Sequence, residues 1–120
     1  MQTDIELAIT GLRKVDQCEG LIGKIPSAYA VEDRSSTSYG LVIRSQSSED
    51  SNEPSSKLEK FLRPLLPLAE AIRDRDCIIR VAVFSSLATT TTMFSFSCLE
   101  LLRNFNAKLE VSVYPVDEDR

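Results

Sequence analysis

Apolar and polar residues alternate along five segments of the chain, a period typical of strands with one buried face. In the first segment, Ile5, Leu7 and Ile9 face one way, while charged and hydroxyl side chains face the other. The strongest segment is CIIRVAVFS, from Cys77, and the last is AKLEVSVYP, from Ala107. Two shorter segments, SAYAVED and YGLVIRS, flank a serine-rich turn and predict a hairpin. In the last strand we expect the core-facing side chains to be those of Leu109, Val111 and Val113.

Two helices are predicted in the first two thirds of the chain. A short one is expected in VDQCEGLIG, where Asp16 and Glu19 can satisfy each other's backbone amides. A longer one is expected from SKLE, with Ser56 as its cap and Glu59 as the reciprocal partner. We expect this helix to break near Arg63, with Pro64 opening a second helical segment, because a proline inside a helix removes a hydrogen bond and clashes with the preceding turn.

A third helix is predicted after residue 96. The stretch SCLE begins at Ser97 and has the same cap form as SKLE. Leu99, Leu102 and Phe105 are expected to face the core from this helix, and Asn106 is expected to end it in a left-handed conformation.

The order of these elements predicts a single α+β domain over residues 1–120. We expect a mostly antiparallel sheet of about five strands with helices packed on one face. The first six elements are compatible with the split βαβ order of ferredoxin-like folds. Two parts are expected to lie outside the core, a mobile acidic loop at 46–55 and a frayed tail at 115–120.

Composition agrees with an ordinary globular domain. The 120 residues are 42% hydrophobic and 27% charged, enough to form a core without disulfides or metal. The net charge of −4 argues against a nucleic-acid partner, because phosphates attract lysine and arginine. No apolar run reaches the roughly 18 residues of a membrane span. We therefore expect no membrane partner. The three widely spaced cysteines indicate reduced thiols, so we expect a cytoplasmic protein.

The residue types needed for common catalytic chemistry are missing. The chain has no histidine, which excludes Ser–His–Asp and Cys–His arrangements and leaves a poor metal-ligand set. No glycine-rich phosphate loop occurs. The carboxylate pairs Glu32–Asp33 and Glu49–Asp50 fall in predicted turns, where charge is normally solvated. We therefore expect a protein that is not an enzyme and that uses no cofactor or metal.

One stretch, SSLATTTTMFSFS at 85–97, holds eight hydroxyl side chains. A hydroxyl is a weak nucleophile unless a base activates it, and the chain offers no base of the usual kind. The stretch is interpreted as a connector, with Thr92, Phe94 and Phe96 on one face of a short strand. The alternative is a binding edge, on which Thr89–Thr92 would pair with a partner strand.

Longer stretches resemble a known family. The second half contains the amphipathic LEKFLRPLLPLAEAI, then CIIRVAVFS and, after a variable loop, FSFSCLELLRNFNAKLEVSVYP. The first half adds LAITG and, after a short helix, IPSAYAV. This arrangement resembles, over most of the chain, the bacterial family of small proteins catalogued as domain of unknown function forty-two seventy-nine. Ser27 follows Pro26 where that family often has threonine, and its usual tryptophan before the third strand is missing.

The resemblance implies a fold more than an activity, because the family has no established activity. Many of its relatives resemble immunity-type proteins, which bind and neutralise a toxin domain. We therefore expect a bacterial immunity protein of the toxin–antitoxin kind that binds a basic toxin domain, and a homodimer is also compatible with the sequence. Complementary charge would speed the encounter. The candidate partner-binding residues are Glu49, Asp50, Glu53, Asp117, Glu118 and Asp119.

A rival hypothesis is a small-molecule-binding or regulatory module of ferredoxin-like type. Such a module needs a concave apolar pocket with a few converging polar groups. The tyrosines Tyr29, Tyr39 and Tyr114 are the candidates for those groups.

Overall fold

The structure is a computed structural model that describes residues 2–10, 15–33, 40–45, 53–86 and 91–116, with only the backbone given for 15–18. Its strands are β1 (Gln2–Thr10), β2 (Tyr29–Asp33), β3 (Leu41–Ser45), β4 (Asp76–Ser85) and β5 (Lys108–Pro115). Its helices are α1 (Val15–Ile22), α2 (Pro54–Leu62), α3 (Leu66–Ile72) and α4 (Phe96–Phe105), with a 3₁₀ turn at Arg63–Leu65 between α2 and α3.

The five described strands form one mixed sheet in the order β2-β3-β1-β4-β5. β1 lies at the centre and pairs antiparallel with both β3 and β4, while β2 pairs antiparallel with β3. β5 lies outside β4 and runs parallel to it. A parallel neighbour needs a crossover connection, and α4 provides it. The predicted α+β class, with a mostly antiparallel sheet and helices on one side, is confirmed; the ferredoxin-like detail stays an interpretation.

One face of the sheet is buried because its side chains alternate as the sequence indicates. On β1, Ile5, Leu7 and Ile9 are buried, and they lie opposite Val81, Ile79 and Cys77 of β4. Leucines of α2, α3 and α4 join the same apolar cluster, so the helices cover this face. Burial of each such side chain contributes roughly 1.5–3 kcal/mol to the free energy of unfolding. The β1–β4 pair therefore supplies a large part of the stability of the core.

The helix after residue 53 breaks at Arg63, as predicted, but the second helix begins at Leu66 rather than at Pro64. α2 gives way to the 3₁₀ turn at Arg63, and α3 resumes with Pro67 in its first turn. Because Pro64 has no N–H, it cannot bond to the carbonyls of the preceding turn. One of these carbonyls, that of Phe61, instead accepts a hydrogen bond of 2.5 Å from the hydroxyl of Tyr29. The Tyr29 ring also meets the Phe61 ring edge-on, at 5.4 Å between centroids, and so fastens β2 to the break.

All three predicted helix starts are wrong. α1 begins at Val15, before its predicted cap Asp16. α2 begins at Pro54 rather than at Ser56, and its N-cap, Glu53, makes no side-chain cap bond. Proline is favourable in the first helical turn, where a missing N–H has no helical partner to lose. Pro54 and Ser55, placed at the end of the predicted mobile loop, are therefore helical and buried, while residues 46–52 lie outside the described residues.

At the other end of the chain, α4 begins at Phe96, with Ser95 as its N-cap instead of Ser97. Asn106 ends α4 with a φ of 51°, the left-handed conformation expected for it. Pro115 belongs to β5, and Val116 donates its amide to the carbonyl of Ser85; residues 117–120 of the predicted tail lie outside the described part.

Gly40 should not tolerate a side chain. It stands beside the paired residues Ile9 and Leu41, and a Cβ there would press directly on the Ile9 carbonyl oxygen. We expect Gly40→Ala to lower the free energy of unfolding by about 1–3 kcal/mol. The matched control is Gly20→Ala in α1, where a Cβ meets nothing, and helix propensity should raise stability by about 0.5–1 kcal/mol. Chemical denaturation of both variants measures the two effects; losses of similar size would contradict the close approach at Gly40.

Tyr29 should make stability fall at high pH. Burial raises the pKa of Tyr29 from 10.0 to about 12. Between these values the unfolded chain has released the phenolic proton and the folded chain has kept it. The contribution of Tyr29 to stability should therefore decline by about 1.4 kcal/mol per pH unit as pH rises through this window.

The measurement compares the unfolding free energies of the wild type and Tyr29→Phe from below pH 10 towards pH 12. Below pH 10 the wild type should be more stable by about 1 kcal/mol, the value of the hydroxyl bond to Phe61. Above it, that advantage should shrink and then reverse. Tyr114→Phe, at an exposed tyrosine, is the control. A difference between wild type and Tyr29→Phe that stays constant over this range would contradict the assignment.

Candidate protein-binding edge

β5 is an outer strand whose apolar side is only partly covered. Leu109, Val111 and Val113 lie opposite Ile79, Val81 and Val83 of β4, so they belong to the face that carries the core; we call these three residues the β5 strip. Their β4 partners are at most 1% exposed, whereas the strip residues are 37%, 39% and 52% exposed. The expectation that the strip would be inward and buried is thus wrong in its burial, because the helical layer ends before the sheet does.

The backbone of the same three residues also points outward. The Val116 amide donates to the Ser85 carbonyl, so the N–H and C=O of Val116 are directed to β4. Backbone direction alternates along a strand, and in a parallel ladder both groups of one residue point to the same neighbour. The even-numbered residues of β5 therefore bond to β4. The N–H and C=O groups of Leu109, Val111 and Val113 are left directed to the free edge.

The opposite edge of the sheet is of a different kind. β2 is five residues long and ends in two exposed acids, Glu32 and Asp33. Short length and charge are common devices that keep an edge strand from pairing with another chain. β5 has eight residues, and the branched apolar side chains of the β5 strip lie beside its outer edge, on the helix-bearing face. Of the two edges in the described sheet, β5 is the one suited to receive another strand.

Further exposed apolar side chains lie just before and within α4. Met93 and Phe96 are 80% exposed, and Leu99 is 49% exposed. Leu102 and Phe105 face the core as expected, but the burial predicted for Leu99 is wrong. Residues 91–95 form no strand, and Phe96 opens the helix, so the predicted short strand through Thr92, Phe94 and Phe96 is also wrong.

The described part of the hydroxyl stretch connects β4 to α4. Its polar contacts centre on Ser95, whose amide donates to the Ser55 hydroxyl at 2.8 Å. The Ser95 hydroxyl accepts from the Cys98 amide at 3.1 Å and donates to the Glu59 carboxylate at 3.3 Å. These bonds fasten the start of α4 to α2, which is a structural role. Residues 91–95 thus form a structural connection. The binding-edge alternative through Thr89–Thr92 stays a prediction, and Thr89 and Thr90 lie outside the described residues.

The two described thiols have the surroundings of structural cysteines. Cys77 donates to the Ile72 carbonyl at 3.5 Å, and burial, followed by the nearby Asp76 charge, raises the pKa of Cys77 to about 11. Burial also raises the pKa of Cys98, although its hydrogen bond with Ser55 acts in the other direction. A raised thiol pKa lowers the population of the reactive thiolate.

The face of the sheet away from the helices carries a row of alternating charges. Glu6 of β1 lies between Arg44 and Arg80, at 4.0 and 3.6 Å, and Arg80 also pairs with Glu110 of β5 at 3.4 Å. Arg44 reaches Glu32 at 3.9 Å. All of these side chains are partly exposed, so each pair contributes at most about 1 kcal/mol. Their effect on β5 is that Glu110 has a counter-charge within its own chain.

The structure describes one of the six acidic residues predicted to bind a partner. Glu53 is exposed at the start of α2. Glu49, Asp50, Asp117, Glu118 and Asp119 lie outside the described residues, so these assignments stay predictions. Three tyrosines are the candidates for a ligand pocket. The Tyr29 hydroxyl donates to the Phe61 carbonyl, and the Tyr114 ring stacks on that of Phe84 with 5.3 Å between centroids. Tyr39 lies outside the described residues.

Within the described ranges, no group of three or more Cys, Asp or Glu side chains is placed to hold a metal ion. No described helix is long and apolar enough to cross a membrane. Comparisons with protein-family models, with curated proteins and with solved structures gave no match.

Sequence reasoning missed the β5 strip as a surface. Its alternation is the same as that of the buried strands, so the pattern alone cannot tell a covered face from an uncovered one.

The Ser95 cap gives a test within a matched pair of serines. Ser95→Ala removes the acceptor for the Cys98 amide and should lower the free energy of unfolding by about 1 kcal/mol. Ser97→Ala, two residues later on an exposed position, should change it by less than about 0.5 kcal/mol. Urea denaturation of both variants checks this, and a larger loss for Ser97→Ala would place the cap at Ser97.

Proposed function

We propose that this protein acts by binding another polypeptide at the β5 edge and does not catalyse a reaction. The observation that carries the proposal is the β5 strip, where outward backbone groups and exposed branched side chains lie along one edge. Strand addition draws affinity from main-chain hydrogen bonds and selectivity from alternate side chains, and this edge offers both. The absence of histidine from the sequence and the raised thiol pKa values support a non-catalytic role.

Within this proposal we favour an immunity-type protein whose partner is a toxin domain. The family resemblance and the acidic net charge support this class. The partner would bring an extended apolar segment to the β5 strip and basic residues around it. The strip would then hold the complex together, and the acids at 49, 50 and 53 would speed its formation, because charges outside a contact act mainly on the association rate.

The proposal is tested with a toxin domain encoded beside this protein, by measuring association and dissociation rates. Val113→Lys should weaken binding by roughly tenfold or more, mainly through faster dissociation, because the edge would have to accommodate a charge. Leu66→Lys on α3 is the matched control, since Leu66 is also a partly exposed apolar residue, and it should leave both rates unchanged.

The charge argument has its own variant, the triple reversal of Glu49, Asp50 and Glu53 to lysine. It should slow association and reverse its salt dependence, because the net charge changes from −4 to +2, while dissociation changes little. Equal affinity of the wild type and Val113→Lys would overturn the β5 assignment. An unchanged association rate in the triple variant at all salt concentrations would overturn the charge assignment alone.

A further inference from the structure

We infer that, until another partner binds, the β5 edge is occupied by a second copy of this chain, paired antiparallel β5 to β5 around a two-fold axis. The inference rests on the proposed function, because it takes β5 as the protein-binding edge. It adds the identity of the resting occupant and the register of the contact.

The free backbone groups of β5 are self-complementary in one register. With Val111 opposite its own copy, Leu109 comes opposite Val113. In an antiparallel ladder, each such pair of outward-directed residues exchanges both of its hydrogen bonds. The outward N–H and C=O groups of all three strip residues then find partners, and none is left over.

Neighbouring registers are worse for identifiable reasons. Centring the pair on Glu110 sets two glutamates directly opposite each other, which is unfavourable. Centring it on Ser112 sets Leu109 opposite Pro115, and because proline has no N–H, the Leu109 carbonyl loses its partner. Centring it on Leu109 sets Val113 opposite Phe105, which belongs to α4 and precedes the start of β5 at Lys108. Val113 then has no partner strand.

Side chains fit the Val111-centred register on both faces. On the helix-bearing face, Val111 meets Val111, and Leu109 meets Val113, so branched apolar groups that are now 37–52% exposed cover one another. On the other face, Glu110 comes opposite Ser112 and Lys108 opposite Tyr114, with no like charges directly opposed. Glu110 also keeps Arg80 as its counter-charge at 3.4 Å. The contact itself thus adds no like-charge pair to the net charge of −4 that each chain carries.

Because a two-fold axis places residue 111 of one copy opposite residue 111 of the other, the dimer can be tested with two oppositely charged variants of Val111 and their mixture. The wild type should sediment with twice the mass of the chain at high concentration and dissociate on dilution. Val111→Lys and Val111→Glu should each raise the dimer dissociation constant by roughly tenfold or more, because residue 111 of one copy faces residue 111 of the other. An equimolar mixture of the two variants should restore a dimer, now held by Lys–Glu pairs.

Leu66→Lys is again the control and should leave the dimer unchanged, and thermal unfolding verifies that each variant is folded. Dimers in both single variants, or no recovery on mixing, would overturn the inference. So would a wild type that stays monomeric at every concentration.

Failure here can be told apart from failure of the proposed function. If the wild type is monomeric but Val113→Lys abolishes toxin binding, β5 is a binding edge for the toxin and not for a second copy. If the Val111 variants weaken the dimer but Val113→Lys leaves toxin binding unchanged, the second copy binds at β5 and the toxin does not. When both hold, toxin and second copy should compete, so that added toxin converts dimer into a one-to-one complex.

Discussion

The fold depends on the antiparallel pairing of β1 with β4. These are the two longest strands, and they are paired over all nine residues of β1. Their alternation puts Ile5, Leu7 and Ile9 against Ile79 and Val81 on one side, which fixes the register because a slip by one residue would move every one of these side chains to the other face. The helices can cover only the face so defined, and each outer strand is placed relative to this pair.

The function we propose follows from a mismatch between the two layers. α2, α3 and α4 pack against one another and cover β1 and β4, whose core-facing residues are almost completely buried. The sheet continues one strand further, so β5 has a fully paired inner side and an outer side open to water. An apolar strip beside outward-directed backbone groups is the arrangement that strand addition uses, and it is the basis of the proposal.

Much of the fold could be predicted because the determining interactions are local. The break at Pro64 follows from a missing N–H, and the left-handed Asn106 follows from the small cost of that conformation for asparagine. The five strands follow from period-two alternation. These features need no knowledge of what lies across the molecule.

Other features are decided by distant partners and could not be read from a local window. Ser95 and Ser97 are both plausible caps for α4, and Ser95 prevails because Ser55 and Glu59 of α2 lie beside it. Glu59, expected as the reciprocal partner of Ser56, is held instead by Ser95 and Arg63. For the same reason the pattern gave the strip residues the right face and the wrong exposure: the exposure depends on where the helical layer stops.

The unlike ends of the sheet also limit how far the protein can assemble. A sheet with two open edges can add strands from both ends and grow into a filament. Here β2 has five residues and β5 has eight, so of the two described edges β5 offers the longer ladder to another strand. In the two-fold pairing inferred above, this edge is used in both copies, so no third chain can add there. Such a pairing stops at two copies and does not extend from the β5 edge into a filament.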